Sequence, residues 1–208
     1  MTDNGIKSLK EELRRRDLKI KELESLIVHD PLTGLLNRRG FLELANKLFQ
    51  DVRHTQSNKT SREHFVIKSF AILFVDIDNF KKLNDSYSHK IGDQILKFVS
   101  SLIETKVRTS DFVGRWGGEE IVAALIGSRE DDAYNKAEEI RKAVKSRVKI
   151  PGHPELKITI SVGVAELDGA MDLEALVKRA DEAMYFSKTH GKDRVTKYSQ
   201  LKPEKGKR

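Results

Sequence analysis

At 208 residues with 38% hydrophobic content, the chain is long enough to bury one core and carry appendages. It contains no cysteine, which excludes disulfides and thiolate metal sites and agrees with a reducing, cytoplasmic setting. The formal net charge of +7 suits anionic ligands, but the densest basic run is the tail Lys202 to Arg208, and no apolar stretch approaches the roughly 18 residues of a membrane span. Neither a nucleic acid nor a membrane is therefore expected as a partner, and, with no apolar segment near the N-terminus of this sequence, no signal peptide is expected.

Ile6, Leu9, Leu13, Ile20, Leu23 and Ile27 fall on heptad steps, with Arg16 in the remaining seam position. This pattern predicts a helical stalk over residues 1–29, either a parallel coiled coil or an amphipathic helix folded back on its own domain. A charged Arg16 in the seam weakens pairing, so the dimer is expected to be marginal. Pro31 and Gly34 end that helix; Phe41 to Val52 has helical periodicity, and a polar loop is expected from Arg53 to about His64.

Phe70 to Val75 is a continuous apolar run, short enough to be a strand buried on both faces. It delivers Asp76 and Asp78, which sit two residues apart and so are expected to project together. Phe80 to Asp85 reads as a short helix or turn, and Ile91 to Glu104 as a helix with Ile95, Phe98, Val99 and Leu102 inward. Asp111 to Trp116 and Ile121 to Ile126 read as the arms of a hairpin, with Gly117, Gly118, Glu119 and Glu120 at its tip. A helix over Ala133 to Val148 with Ala137, Ile140 and Val144 inward, a strand over Ile158 to Val164, a helix over Leu173 to Ser187 and a strand over Arg194 to Tyr198 complete the chain. The alternation predicts an α/β or α+β fold around a mixed sheet with flanking helices, not a doubly wound parallel one.

Two acidic clusters thus end two strands, Asp76 with Asp78, and Glu119 with Glu120. Adjacent carboxylates beside bare glycine backbone suit a cation, or a polyphosphate bound through one. Oxygen-only ligation selects Mg²⁺ over zinc, and two such ions would serve nucleotidyl transfer. The chain has neither a Walker loop nor a kinase Asp-Phe-Gly set, and its acids are too separated for an EF-hand.

The chain resembles the GGDEF-domain diguanylate cyclases from about Asp30 to Val195. The resemblance rests on Asp30-Pro31-Leu32-Thr33-Gly34, Phe74-Val75-Asp76-Ile77-Asp78-Asn79-Phe80-Lys81, Asn84-Asp85, Gly92-Asp93, Gly117-Gly118-Glu119-Glu120-Ile121, Ser161-Val162-Gly163-Val164 and Ala180-Asp181-Glu182-Ala183-Met184-Tyr185. It implies a nucleotidyl-cyclase or palm-like fold over residues 30–198, followed by what the charge pattern marks as a basic tail over 199–208, and condensation of two GTP into cyclic di-GMP by two protomers meeting face to face. It implies two Mg²⁺ per site, which Mn²⁺ can replace, held by Asp76, Glu119, the Ile77 carbonyl and the auxiliary Glu120. Glu119 is also the implied base for the 3′-hydroxyl. Substrate contacts are implied for Phe80, Lys81, Asn84, Asp93, Gly117, Gly118, Lys188 and Lys192, and product inhibition at Arg108 and Asp111. Read alone, Asn84 and Asp93 are helix caps, and the lysines are solvated surface groups.

Three positions depart from the family pattern. Ile121 stands for the usual Phe, Ser88 for a common Gly, and Lys192 for the usual Arg, which turns a bidentate phosphate contact into a point charge. Besides the cyclase, a non-catalytic cyclic di-GMP receptor or scaffold, and a cyclase making another cyclic dinucleotide, remain as alternatives. The chain is expected either to act alone or to be driven by an upstream signalling partner.

Overall fold

The computed structural model describes residues 11–16, 27–57, 69–149, 152–168 and 171–201. Its elements are β1 (Leu36–Asn37), α1 (Arg38–Ser57), β2 (Phe70–Ile77), α2 (Phe80–Tyr87), α3 (His89–Lys106), β3 (Phe112–Gly117), β4 (Glu120–Ile126), α4 (Glu130–Arg147), β5 (Ile160–Glu166), α5 (Leu173–Thr189) and β6 (Arg194–Lys197). They form one mixed six-stranded sheet in the order β1-β3-β4-β2-β5-β6. The predicted fold class holds, with β1 parallel to β3, β5 parallel to β6 and the three inner pairings antiparallel.

All eight residues of β2 are buried, which accounts for its uninterrupted apolar run. Leu73, Val75 and Ile77 face a core shared with Leu83, Ile95, Val99 and Ile140, so α2, α3 and α4 cover that side. Ile72 and Phe74 face a second core with Phe41, Leu176 and Met184, contributed by α1 and α5. Helices on both faces shield the strand, and its end is left as the place where polar groups emerge.

Several boundaries move. The α1 helix begins at Arg38 and reaches Ser57, so the first residues of the expected polar loop are helical; residues 58–68 lie outside the described part. The β5 strand runs from Ile160 to Glu166, later than predicted, and Tyr198 leaves the last strand to open a 3-10 turn, Tyr198–Gln200. On α3 the inward assignment of Phe98 is wrong: it is 49% exposed, while Ile95, Leu96, Val99 and Ile103 fill the core and Leu102 is only partly buried. Residues 11–16 are helical, with Leu13 exposed; of the other seam positions, Ile6, Leu9, Ile20 and Leu23 lie outside the described residues.

The α2–α3 turn carries strain. Ser88 sits at φ 102 and ψ 155, a region that is essentially glycine territory and costs a residue with a Cβ about 1–3 kcal/mol. Ser88→Gly should therefore stabilise the fold by about 1 kcal/mol net, raising Tm by roughly 2–4 °C. A thermal melt showing a lower Tm would contradict this account of the turn.

Candidate active site

The sheet register sets Asp76 on β2 directly opposite Glu120 on β4. Like charges facing each other across a ladder weaken it, so the pair has no structural justification of its own. Asp76 is 1% exposed. Its Oδ2 receives the Lys188 ammonium of α5 at 2.8 Å, while its Oδ1 is buried with no partner.

The Asp76 carboxyl is raised to about 6: burial is the main cause, Glu119 and Glu120 add to it, and the Lys188 bond and charge offset part of it. Glu120 is raised too, by burial first and then by Asp181 and Glu119, against Lys188 and Arg38. Burial opposes the charge on Lys188, but its bond to Asp76 and the field of Glu119 and Glu120 outweigh this and raise it. An excess of negative charge at the end of β2 is thus balanced by a single bonded lysine.

The donor set fits a hard divalent ion. All the nearby side-chain donors are carboxylate oxygens, one of them a buried orphan, and Ile77 ends the same strand one residue on. Among the described residues, no three acidic or imidazole side chains already converge on one point; Lys188 holds Asp76 instead.

The second aspartate is used otherwise. Asp78 accepts from Ser161 Oγ at 2.6 Å, Thr159 Oγ1 at 2.7 Å and the Asp193 backbone N–H at 3.0 Å, so both its oxygens tie β2 to β5 and to the loop after α5. Ser161 stands opposite Asp76 in the register and bonds Asp78, so the two aspartates do project to one side of the sheet, but Asp78 is spent as a structural anchor.

At the hairpin, Gly117 lies in β3, and the turn itself is Gly118 and Glu119, with Gly118 at φ 47. A register shift between Arg115 and Gly117 marks a bulge at Trp116. Arg115 fixes the tip, with Nε and Nη2 donating to the Gly118 carbonyl at 3.0 and 2.8 Å, and Nη1 donating to Asp30 Oδ2 at 2.9 Å. Thr33 holds the other oxygen of Asp30 through its N–H and its hydroxyl. Burial opposes ionisation of Asp30, but the Thr33 bonds and Arg115 outweigh it and keep the carboxyl below its usual range. The Asp30-Pro31-Leu32-Thr33-Gly34 motif is therefore the brace of the Glu119 turn, a role its sequence did not disclose.

Behind the hairpin, Trp116 packs edge-on against Phe41 and Phe74, and the Arg38 guanidinium lies 4.5 Å from its ring centre. An open groove of about 640 Å³ runs between α1 and α5, lined by Arg38, Leu42, Phe74, Trp116, Val177 and Asp181 among others. Ile121 is fully buried in the core, so its departure from Phe is a packing change beneath the site.

On the other side of β2, Phe80, Asn84 and Gly92 come together. Asn84 Oδ1 is buried without a partner, and a Cβ at Gly92 would lie 1.9 Å from it and 3.3 Å from Phe80 Cζ. Gly92 is thus required to keep the Asn84 amide in place, and Asp93 follows it, exposed. Lys81 is exposed in the first turn of α2, and Lys192 donates to Asn79 Oδ1 at the start of that helix.

Arg108 and Asp111 stand apart from this group, on the turn between α3 and β3. Asp111 is already committed: Oδ2 accepts the Arg108 N–H at 2.9 Å and Oδ1 the Ile126 N–H at 3.0 Å. Arg108 is exposed and lines two shallow grooves of about 420 and 340 Å³.

Comparison with known proteins agrees with this architecture. The chain is 37% identical over 176 residues to the diguanylate cyclase DgcM of Escherichia coli (strain K12), covering 84% of this chain and 39% of that protein, so it spans about two-fifths of that relative's length. The crystal structure of the coiled coil and GGDEF domain of DgcB from Caulobacter crescentus, in complex with c-di-GMP, superposes with a TM-score of 0.80 at 27% identity, covering 94% of this chain and 98% of that one. Diguanylate cyclase SiaD of Pseudomonas aeruginosa, solved with its activator SiaC, gives a TM-score of 0.71 at 32% identity, covering 93% of this chain and 70% of that one. The family model described as diguanylate cyclase, GGDEF domain, matches residues 27–194, and the chain belongs to that family.

Proposed function

We propose that the protein is a diguanylate cyclase, a nucleotidyltransferase that condenses two GTP into cyclic di-GMP and releases two pyrophosphates. The observation that carries this reading is the buried Asp76 facing Glu120, with one oxygen orphaned and the other held only by Lys188. Asp76, Glu119 and the Ile77 carbonyl hold the metal, with Glu120 as the auxiliary carboxylate. Mg²⁺ or Mn²⁺ bound there neutralises phosphate charge and lowers the pKa of a coordinated hydroxyl.

The remaining work falls to the chain's own groups. Asn84 and Asp93 bind the guanine edge, since a carboxylate accepts both of its donors, whereas adenine presents an acceptor where one donor should be. Phe80 backs Asn84, and Lys81, Lys188 and Lys192 meet the phosphates. Gly118 has open space where a Cβ would stand, and Gly117 meets only Glu120 Oε2 at 3.8 Å, so phosphate can approach the backbone of the turn. Glu119 takes the proton from the attacking 3′-hydroxyl.

Each protomer supplies one such half-site, so the active species is a homodimer, assisted by the N-terminal helix. The intact carboxylates weigh against a purely receptor role. No helix of the described residues is long and apolar enough to cross a membrane, and the likeness to SiaD with its activator favours an input through a protein partner. Incubation with GTP or ATP and Mg²⁺ tests the reading: cyclic dinucleotide should form from GTP alone, with specific activity rising with protein concentration. Equal use of ATP would overturn the guanine site, and a concentration-independent rate the dimer.

Cyclic di-GMP is proposed to inhibit by binding at Arg108, whose guanidinium matches a phosphate or a guanine edge. With Asp111 engaged in its own turn, Arg108 carries most of that contact. Arg108→Ala should raise the inhibitory concentration of added product at least about tenfold, the loss of one charge-assisted bidentate contact. Equal inhibition of the variant and the wild type would place the product elsewhere.

A further inference from the structure

Lys188 occupies the position of a cation on Asp76, and that has a consequence for how the site is loaded. The backbone carrying it is fixed: the neighbouring Ser187 hydroxyl is buried, donating to the Val162 carbonyl at 2.9 Å and lying 2.7 Å from Thr196 Oγ1. A Cβ on Gly163 would lie 2.0 Å from the Ala180 carbonyl oxygen, so α5 rests directly on the β5 backbone. With that backbone held, exchange falls to the Lys188 side chain, which at 32% exposure has a way out from the 2%-exposed carboxylate of Asp76.

We propose that Lys188 is an exchangeable counter-ion, which couples metal loading to triphosphate binding by trading Asp76 for phosphate oxygens. This rests on the reading of Asp76 as a metal ligand. A divalent ion arriving alone must share Asp76 with an ammonium, or push that ammonium from its buried bonded partner toward the more exposed Glu119, Glu120 and Asp181; either course weakens the binding of the ion. A triphosphate arriving alone must draw Lys188 away and leave Asp76 facing Glu119 and Glu120 without a cation. When both arrive, Asp76 trades Lys188 for the metal and Lys188 trades Asp76 for phosphate oxygens, so neither gives up a close partner without gaining one. By linkage each ligand then tightens the other by the same factor, and the site resists occupation by free divalent ions.

The test is Mn²⁺ binding, followed by calorimetry or by the electron paramagnetic resonance of free Mn²⁺, with and without guanosine 5′-(α,β-methylene)triphosphate, in wild type, Lys188→Gln, Lys188→Arg and Asp76→Asn. Free Mn²⁺ should bind wild type weakly and be tightened at least about thirtyfold by the analogue, within the usual range of coupling between sites. Lys188→Gln should bind free Mn²⁺ at least about tenfold tighter than wild type and lose most of the tightening, whereas Lys188→Arg, which keeps the charge, should behave like wild type.

A lysine that only contacts phosphate would weaken analogue binding in Lys188→Gln and leave free Mn²⁺ affinity unchanged. That outcome overturns the exchange, and if Asp76→Asn still abolishes Mn²⁺ binding, the metal reading survives it. Absence of Mn²⁺ binding in every protein, with or without the analogue, overturns the metal reading and the exchange with it.

Discussion

Asp76→Asn should reduce cyclic di-GMP formation by at least about a thousandfold, the scale on which metal ions stabilise transition-state charge. The substitution preserves shape but removes the one carboxylate that is buried, opposite Glu120 and provided with an unpartnered oxygen. Loss of the Lys188 bond is offset by relief of repulsion from Glu119 and Glu120, so the variant should remain folded. Initial rates of product formation, beside a thermal melt, measure both. A folded variant keeping more than about a tenth of wild-type activity would remove Asp76 from the chemistry.

Gly163→Ala should have the largest effect on stability. A methyl there would meet the Ala180 carbonyl oxygen at 2.0 Å and the Met184 backbone nitrogen at 2.2 Å, and backbone of a packed helix cannot turn aside as a side chain does. The overpacking should cost about 3 kcal/mol or more, lowering Tm by roughly 6–12 °C. Because α5 carries Lys188, the same shift should draw its ammonium off Asp76 and depress activity beyond the loss of folded protein. An unchanged Tm would show that α5 and β5 have room to separate.

These two residues also show what was legible in the chain. Asp76 is readable because a continuous apolar run short enough for a strand buried on both faces leads into it, and a carboxylate at the end of such a strand needs a reason. The glycine-bearing hairpin and the mixed fold followed from similarly local signals. Phe98 has helical spacing from its apolar neighbours yet lies off the buried stripe, because Ile95, Leu96, Val99 and Ile103 put that stripe elsewhere on the helix and spacing alone does not fix its edge. Asp78 faces the side that period two predicts, but period two does not say that Ser161, Thr159 and Asp193 will occupy its oxygens.

The bracing of the Glu119 turn by Arg115 and Asp30 joins residues 85 positions apart, and nothing in either local pattern announces it. Likewise the stacking of Arg38 on Trp116 and the placement of Asp181 beside Glu120 depend on how α1 and α5 pack against the sheet. Such pairings are products of the fold. Asn84 lies between the two cases: its motif was visible, but only the contact with Gly92 explains why glycine stands there.

The most direct test of the whole account is the stoichiometry of a single reaction. Purified protein, GTP and Mg²⁺ should yield cyclic di-GMP with two pyrophosphates released for each dinucleotide, and no product when the metal is chelated. GTP consumed to GDP or GMP without dinucleotide, or left unconsumed by folded protein at high concentration, would contradict the assignment of Asp76, Glu119 and Glu120 as the half-site of a diguanylate cyclase.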